Sequence, residues 1–349
     1  LYTALEGGFP PERIYFHGNN KSLAELELAL EHRVGCIVID NFPEIEMVDQ
    51  LAAQIGHKQE VMLRITPGVD TDTHAFIQTG QMDSKFGFTL GQGVLAVRRV
   101  LEKENLLLRG LHCHIGSQIF NLDSYGLALE IMFNLLLELR EKLGWTASEL
   151  DMGGGLGIRY QREDQPVTPE DYIAYLGKAA RQLAAKMGLT LPRISVEPGR
   201  SIIGPAGITL YTIGSIKELP GIRKYVAVDG GMVDNPRVAL YGAIYEGVVA
   251  NKAGESSREV VSIAGKCCES GDMLIWDLEV PPVEQGDLLA VFATGAYNYS
   301  MASNYNRLPR PAGVFVYQGR SDLVIRRENY ADLVSHDVLP DRFRVAKRG

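Results

Sequence analysis

LDMGGGLGI at residues 150–158 and ISVEPGR at residues 194–200 are the stretches on which the fold turns. Each opens as a short apolar strand and breaks at once into a turn suited to an anion. In the first, Gly153, Gly154 and Gly155 leave backbone N–H groups unshielded by any Cβ, which fits a phosphate cradle and, equally, a plain flexible turn. In the second, Glu197 stands at the C-terminal end of its strand, Pro198 and Gly199 force the turn, and Arg200 offers a bidentate guanidinium. Taken alone, that stretch reads equally as a structural salt bridge. The two lie one strand–helix unit apart, and together they read as two jaws of one site.

Outward from these jaws the pattern repeats. Apolar runs at residues 14–16, 36–39, 61–65, 106–114, 150–152 and 193–196 alternate with helix-like patterns at 22–32, 44–55, 93–104, 124–143 and 169–187. Ser22 ahead of the Leu23, Leu26, Leu30 stripe and Thr168-Pro169-Glu170 are good helix starts. Such alternation means α/β architecture, a parallel sheet with helical crossovers. A spacing of roughly 31 residues per unit matches an eight-fold TIM-type barrel, and a doubly wound open sheet is the alternative. Anion loops after the last two strands favour the barrel. Two barrel units are then expected to lie outside the chain, which opens at Leu1-Tyr2-Thr3 in a helical pattern without an initiator Met. After Arg200 the runs at 207–216, 224–228, 260–264 and 288–292 are β-branched and separated by Gly, Pro and Asp turns. A partial barrel over residues 1–203 and a β-rich domain over 204–349 are expected.

The 349 residues exceed one ordinary core, so two domains agree with length as well. With 46% hydrophobic and 22% charged residues the composition is globular. A net charge of -8 argues against a nucleic-acid surface. No apolar run approaches the ~20 residues that span a bilayer, and the opening segment lacks the basic start of a signal peptide. Four cysteines, Cys36, Cys113, Cys267 and Cys268, are too few for a disulfide scaffold and point to a reducing, cytoplasmic setting.

The remaining candidates are weaker alone. His112 and His114 share one face of a strand while Cys113 points the other way, so only two ligands converge and zinc is disfavoured. No metal is expected; a flat imidazole stacked on a cofactor ring fits better, with Ser117 just beyond as a hydroxyl donor to phosphate. Cys268-Glu269 sits on a Gly-Asp turn. A cysteine there is either a small buried hydrophobe or a proton donor, since an ordinary thiol, with a pKa of about 8.5, is protonated at neutral pH. Tyr297 fits a site phenol or a core position, and spacing does not decide.

Taken in order, GLHCHIGSQ, LDMGGGLGI, VEPGRSI, NPRVALYGA, CCESGD and TGAYNYSMASNYN resemble the diaminopimelate decarboxylases, along essentially the whole chain. These are pyridoxal 5'-phosphate enzymes that pair a TIM-like barrel with a β-domain. The resemblance implies that His114 stacks on the cofactor ring, that Glu197 faces its nitrogen, and that Ser117, Gly154, Gly155, Pro198, Gly199 and Arg200 hold ring and phosphate. It implies that Arg200, Arg237, Tyr241 and Glu269 contact substrate, that Tyr297 touches both cofactor and substrate, and that Cys268 reprotonates the α-carbon. Decarboxylation of meso-2,6-diaminopimelate to L-lysine is the activity implied, in a homodimer whose Cys268–Glu269 loops reach into each other's sites, with no nucleic-acid or membrane partner. Arg237 with Glu269 offers the cation and anion that a second amino-acid head requires, whereas an ornithine-type pocket would want carboxylates alone.

The family's Schiff-base lysine stands in a Lys-Ala-Asn context that this sequence does not contain. Lys85 in Ser-Lys-Phe-Gly matches a different family lysine and Lys21 in Asn-Asn-Lys-Ser opens a helix, so the anchoring lysine is expected outside these 349 residues, and the chain alone is expected to be inactive. Decarboxylation of ornithine, arginine or carboxynorspermidine is the competing enzymatic reading, and a non-catalytic binding homologue the non-enzymatic one.

Overall fold

The computed structural model describes residues 1–69, 84–256 and 258–343. They divide into one unit of Leu1–Gly157 with Gln165–Ser201 and a second of Ile158–Asp164 with Ile202–Gly349.

The first unit is built on seven parallel strands: β1 (Tyr15–Phe16), β2 (Cys36–Ile39), β3 (Gln59–Thr66), β4 (Phe88–Thr89), β5 (Leu106–Cys113), β6 (Glu149–Asp151) and β7 (Arg193–Ser195). Their order is β1-β2-β3-β5-β6-β7, with β4 beside β3. The order follows the sequence without reversal, unlike a doubly wound sheet, which reverses at a switch point. The sheet is also curled. Strands about 4.8 Å apart would put β1 and β6, four steps along, about 19 Å apart in a flat sheet. Instead Tyr15 Oη on β1 donates to Glu149 Oε1 on β6 at 2.9 Å. The sheet is a parallel half-barrel.

Local chemistry sets the crossover helices. Ser22 and Glu25 form a reciprocal capping box at the Leu23–Glu31 helix, Asn41 Oδ1 accepts from Glu44 N at 3.0 Å, and Thr168 Oγ1 accepts from Asp171 N at 3.1 Å. Left-handed glycines Gly56, Gly144 and Gly188 end three of them. The helix expected from residue 93 begins at Leu90, because Gln92 Oε1 accepts the Thr89 N–H at 3.1 Å and starts the first turn earlier. Strand β5 stops at Cys113, so His114 lies beyond the strand on which it was expected to share a face with His112. The core lies between helices and sheet, around Leu26, Ile37, Leu63, Leu111, Phe133 and Leu150.

The second unit carries a mixed sheet of β8 (Thr209–Leu219), β9 (Arg223–Val228), β10 (Gly247–Val249), β11 (Glu259–Ala264), β12 (Met273–Val280) and β13 (Leu288–Val291). The order is β10-β13-β8-β9-β11-β12, antiparallel except for β9 with β11. A separate hairpin joins β14 (Gly313–Tyr317) to β15 (Arg320–Ile325). Four of these strands fall where β-branched runs predicted them; β10, β12, β14 and β15 were not foreseen. No helix among the described residues is long and apolar enough to cross a membrane.

Gly110 on β5 pairs with Glu149 on β6. A Cβ there would sit 1.9 Å from the Glu149 backbone oxygen, and neither backbone can retreat without breaking the ladder. Gly110→Ala is expected to destabilise the protein by about 3 kcal/mol in urea unfolding. Gly91→Ala, on an exposed helical face with open space around its Cβ, is expected to stabilise by about 0.5–1 kcal/mol.

Candidate active site

The C-terminal ends of the parallel strands gather the chemistry of the first unit, as sheets of this kind dictate. His17 follows β1, Asp40 follows β2, His114 follows β5, Gly153 comes two residues after β6, and Glu197 two after β7. The curl joins first to last: His17 Nε2 lies 2.5 Å from Glu197 Oε1, and His112 Nε2 lies 3.2 Å from Oε2. The two imidazoles meet edge to face, centroids 4.8 Å apart. Burial alone would raise the Glu197 pKa, but the hydrogen-bonded imidazole of His112 and the adjacent imidazole of His17 outweigh it and hold the carboxyl well below its usual range. Burial dominates at His112 and lowers its pKa to about 4, against the pull of Glu197. The pair is therefore a carboxylate and a neutral imidazole that donates through Nε2. Its buried Nδ1 has no hydrogen-bond partner. The Glu197 side chain remains one-third exposed, which leaves it room for a further donor.

Around this carboxylate the glycine loop is bare backbone by necessity. A Cβ on Gly154 would lie 2.3 Å from the Glu197 backbone oxygen, and one on Gly155 would lie 2.3 Å from the Gly116 backbone oxygen. Gly153 and Gly155 also have φ of 68° and 101°, which L side chains rarely adopt. Gly154 N–H donates to His114 Nδ1 at 3.2 Å, fixing the ring of a histidine whose pKa burial and then Arg64 lower. Gly199 N–H donates to the Glu197 backbone oxygen at 2.8 Å and Ser201 Oγ donates to Pro198 O at 2.9 Å, closing the EPGR turn. Arg200, 8% exposed, donates to Ser117 Oγ at 2.7 Å. A cavity of about 290 Å³ opens beside His114, lined also by Arg64, Thr66, Ser84, Phe86 and Gly116.

Of the eight residues expected from the sequence to lie about the ring and phosphate, His114, Ser117, Gly154, Gly155, Glu197 and Arg200 thus surround one another, and Pro198 and Gly199 form the turn that joins Glu197 to Arg200. His17 was missed, although the signal existed: a histidine directly after an apolar strand run, as with His114. Among the described residues His17, His112 and Glu197 also bring ligand atoms within 4.8 Å of one another. Lys21 Nζ is buried, bonded to Glu44 Oε1 at 2.6 Å, Val38 O at 2.7 Å and Gly18 O at 2.8 Å. Lys85 is exposed and lies over the Phe86 ring at 5.0 Å.

The second unit holds the other candidates. Arg237 opens the Arg237–Tyr241 helix and is buried; its Nη1 donates to Tyr245 Oη at 2.6 Å and its guanidinium lies 5.1 Å from the Tyr160 ring centroid. Tyr241, one turn on, is 68% exposed. Cys268 and Glu269 are exposed. Cys268 N–H donates to Asn306 Oδ1 at 3.0 Å, and the Glu269 carboxylate accepts from Tyr305 Oη. Neighbouring Cys267 is of another kind, its thiol pushed up to about 12 by burial and then by Asp272. Tyr297 has a left-handed φ of 64° and is not a core residue, at 45% exposure. Arg237 and Glu269 have different anchors, Tyr245 and Tyr305 respectively.

The sequence model of the pyridoxal-dependent decarboxylases, pyridoxal-binding domain, matches residues 1–204. The diaminopimelate decarboxylase of Bacillus subtilis (strain 168) is 56% identical over 340 residues, covering 97% of this chain and 77% of that protein. The chain belongs to the diaminopimelate decarboxylase family. The crystal structure of the M. jannaschii diaminopimelate decarboxylase superposes with a TM-score of 0.90 at 34% identity, covering 98% of this chain and 78% of that one. A second structure of that enzyme, in complex with L-lysine, gives 0.90 at 35%. Pyridoxal phosphate fits the first unit on its own chemistry: an ionised carboxylate for a ring N–H, a tethered flat imidazole, and a bare glycine loop near the Ser117–Arg200 pair.

Asp151, which ends β6, supplies a pH test. Burial and then the charge on Glu197 raise its pKa to about 7, against a hydrogen bond from Gly153 N at 2.8 Å. An unfolded aspartate titrates near ~3.9. Between these values the folded protein keeps a proton the unfolded chain has lost, so stability falls as pH rises through that window. Asp151→Asn keeps the acceptor for Gly153 and removes the titration. Thermal midpoints at pH 5 and pH 8 should show the wild type losing ground to the variant at the higher pH.

Proposed function

We propose that the protein decarboxylates meso-2,6-diaminopimelate to L-lysine and carbon dioxide, the last step of lysine biosynthesis, with pyridoxal 5'-phosphate as cofactor. The observation that carries this reading is the 56% identity to a diaminopimelate decarboxylase along 97% of the chain. The half-barrel is read as six successive units of an eight-fold barrel, which its sequential strand order and its curl support.

Bound pyridoxal phosphate supplies an electron sink for the pair left on the α-carbon when the carboxyl group departs. Glu197, held ionised by His112 and His17, keeps the ring nitrogen protonated, which makes the sink effective. His114 packs on the ring, with its orientation fixed by Gly154 N–H. Ser117, Gly154, Gly155, Pro198, Gly199 and Arg200 bind the phosphate side, and Arg200 also faces substrate carboxylate. Arg237 takes the distal carboxylate, Glu269 the distal ammonium, and Tyr241 and Tyr297 contact substrate, Tyr297 the cofactor as well. Cys268 Sγ–H delivers its proton to the α-carbon and regains one from solvent. Lys21 has its ammonium committed to three acceptors, and neither it nor Lys85 is the lysine that bonds the cofactor.

Product analysis tests the substrate. The protein expressed from its complete reading frame, given pyridoxal phosphate, should release lysine from meso-diaminopimelate and give no decarboxylated product from ornithine, arginine or carboxynorspermidine. Product from one of these alone would move the reading to that substrate. A borohydride-stable cofactor adduct on Lys21 or Lys85 would overturn the lysine assignment.

A cytoplasmic homodimer is proposed, in which each copy lends its Cys268–Glu269 loop to its partner's cofactor. The exposed apolar hairpin, with Phe315 67%, Val316 75% and Tyr317 72% exposed, is a face suited to cover by a second copy. Mixing inactive Cys268→Ala with inactive Glu197→Ala protein distinguishes shared from separate sites. Random reassortment of a two-fold dimer with shared sites restores about one quarter of the wild-type rate; separate sites restore none.

A further inference from the structure

Asn304-Tyr305-Asn306, the tail of TGAYNYSMASNYN, has no part in the reading above. Yet two consecutive residues here hold two consecutive residues of CCESGD. Asn306 Oδ1 accepts the Cys268 backbone N–H at 3.0 Å, and Tyr305 Oη donates to the Glu269 carboxylate. The turn that presents them is strained: Asn306 and the following Arg307 have φ of 53° and 55°. Asparagine tolerates that region better than most residues; two such positions in a row persist only where surrounding contacts over-determine them.

Those contacts are present. Asn304 Nδ2 donates to Glu328 Oε2 at 2.6 Å and Leu308 O at 3.0 Å. Arg307 donates to Leu333 O at 2.6 Å and pairs with Asp337 at 2.9 Å. On the other side, buried Asp272 accepts Cys267 N–H at 2.8 Å and Met232 N–H at 2.6 Å. It is wedged so closely that a Cβ on Gly265 would lie 2.1 Å from it. Three successive loop residues are therefore fixed, Cys267 by Asp272, Cys268 by Asn306 and Glu269 by Tyr305. What stays exposed is the Cys268 side chain and the part of Glu269 not facing the phenol.

We infer that Tyr305 and Asn306 are positioning residues of the decarboxylase, Asn306 acting through Cys268 and Tyr305 through Glu269. The inference rests on the proposed roles of those two residues. Proton delivery depends on placing the thiol within reach of one carbon, so a freed Cys268 backbone costs turnover. Glu269 gives one lone pair to the phenol and keeps others for an ammonium, so a freed Glu269 costs recognition of the distal amine.

Three variants test this in the protein expressed from its complete reading frame. Asn306→Gly removes the acceptor yet tolerates positive φ, which separates the hydrogen bond from backbone strain. It should lower kcat about tenfold with KM within about twofold, the pattern of an interaction felt in the transition state. Asn306→Asp retains an acceptor oxygen and should recover to within about threefold of wild type. Tyr305→Phe should raise KM for meso-diaminopimelate about fivefold at nearly constant kcat, and leave KM for 2-aminopimelate, which lacks the distal amine, unchanged. Iodoacetamide labelling of Cys268 in cofactor-free protein, read by peptide mass spectrometry, gives a measure independent of activity. Its rate should change about threefold or more in Asn306→Gly and return in Asn306→Asp. Wild-type kcat and labelling in Asn306→Gly, or an equal rise in KM for both substrates in Tyr305→Phe, would overturn the inference. If the wild type made no lysine, the decarboxylase reading would fail, while labelling would still decide whether Asn306 holds Cys268.

Discussion

One buried carboxylate decides the shape of the first unit. Glu149 begins β6 at 1% exposure and receives Tyr15 Oη from β1, Arg109 Nε from β5 at 2.7 Å, Arg193 Nη2 from β7 at 2.7 Å, and the Ser195 hydroxyl. A charge taken so far from water is tolerable only when donors satisfy it from every side. Arg109, Arg193 and Ser195 reach it from the strands on either side, but Tyr15 comes from β1, four strands away, so receiving its hydroxyl requires the sheet to curl. Burial acts to raise its pKa, and its hydrogen bonds to Ser195, Arg193 and Tyr15 bring it below the ordinary value.

The same curl makes the cofactor side of the site. Glu149 lies at the strands' N-terminal ends and Glu197 beyond their C-terminal ends. Each is a carboxylate reached by a side chain from the β1 margin of the sheet. At Glu149 the donors are two guanidiniums and two hydroxyls, and the result is structural. At Glu197 the neighbours are two imidazoles, and a third of the side chain stays open, so the carboxylate remains able to act on something else. The difference between a strut and a working group lies in which neighbours each carboxylate was given.

Much of this was legible in the sequence because the informative residues sit in local motifs. GGG after one strand, EPGR after the next and His114-Ile115-Gly116-Ser117 after β5 each announce themselves within nine residues, and all three converge. Glu149 gave no such signal. It reads as an ordinary polar residue at a strand start, and its partner Tyr15 lies 134 positions away. Arg237 was legible as a candidate, but its clamp by Tyr245 and Tyr160 was not, since Tyr160 belongs to a segment, Ile158–Asp164, that groups with the second unit although it lies within the sequence of the first. Strand β12 was hidden because it follows directly on CCESGD, where the motif drew the reading toward a loop. His17 was the avoidable miss, because it obeys the rule that exposed the other site residues.

The separation between Tyr15 and Glu149, and the still longer one between His17 and Glu197, bears on how the chain folds. Each strand–helix unit closes contacts over a few tens of residues, whereas these two closures span most of the first unit and carry a large loop entropy. On loop entropy alone they are expected to close after the local units. Until then the glycine loop and EPGR can form beside each other while Glu197 still lacks the imidazole from the first strand. A ligand that needs Glu197, His114 and the glycine loop assembled around it therefore binds the closed sheet in preference to any open form. By mass action it holds the sheet closed. On this view the cofactor helps complete the fold that receives it.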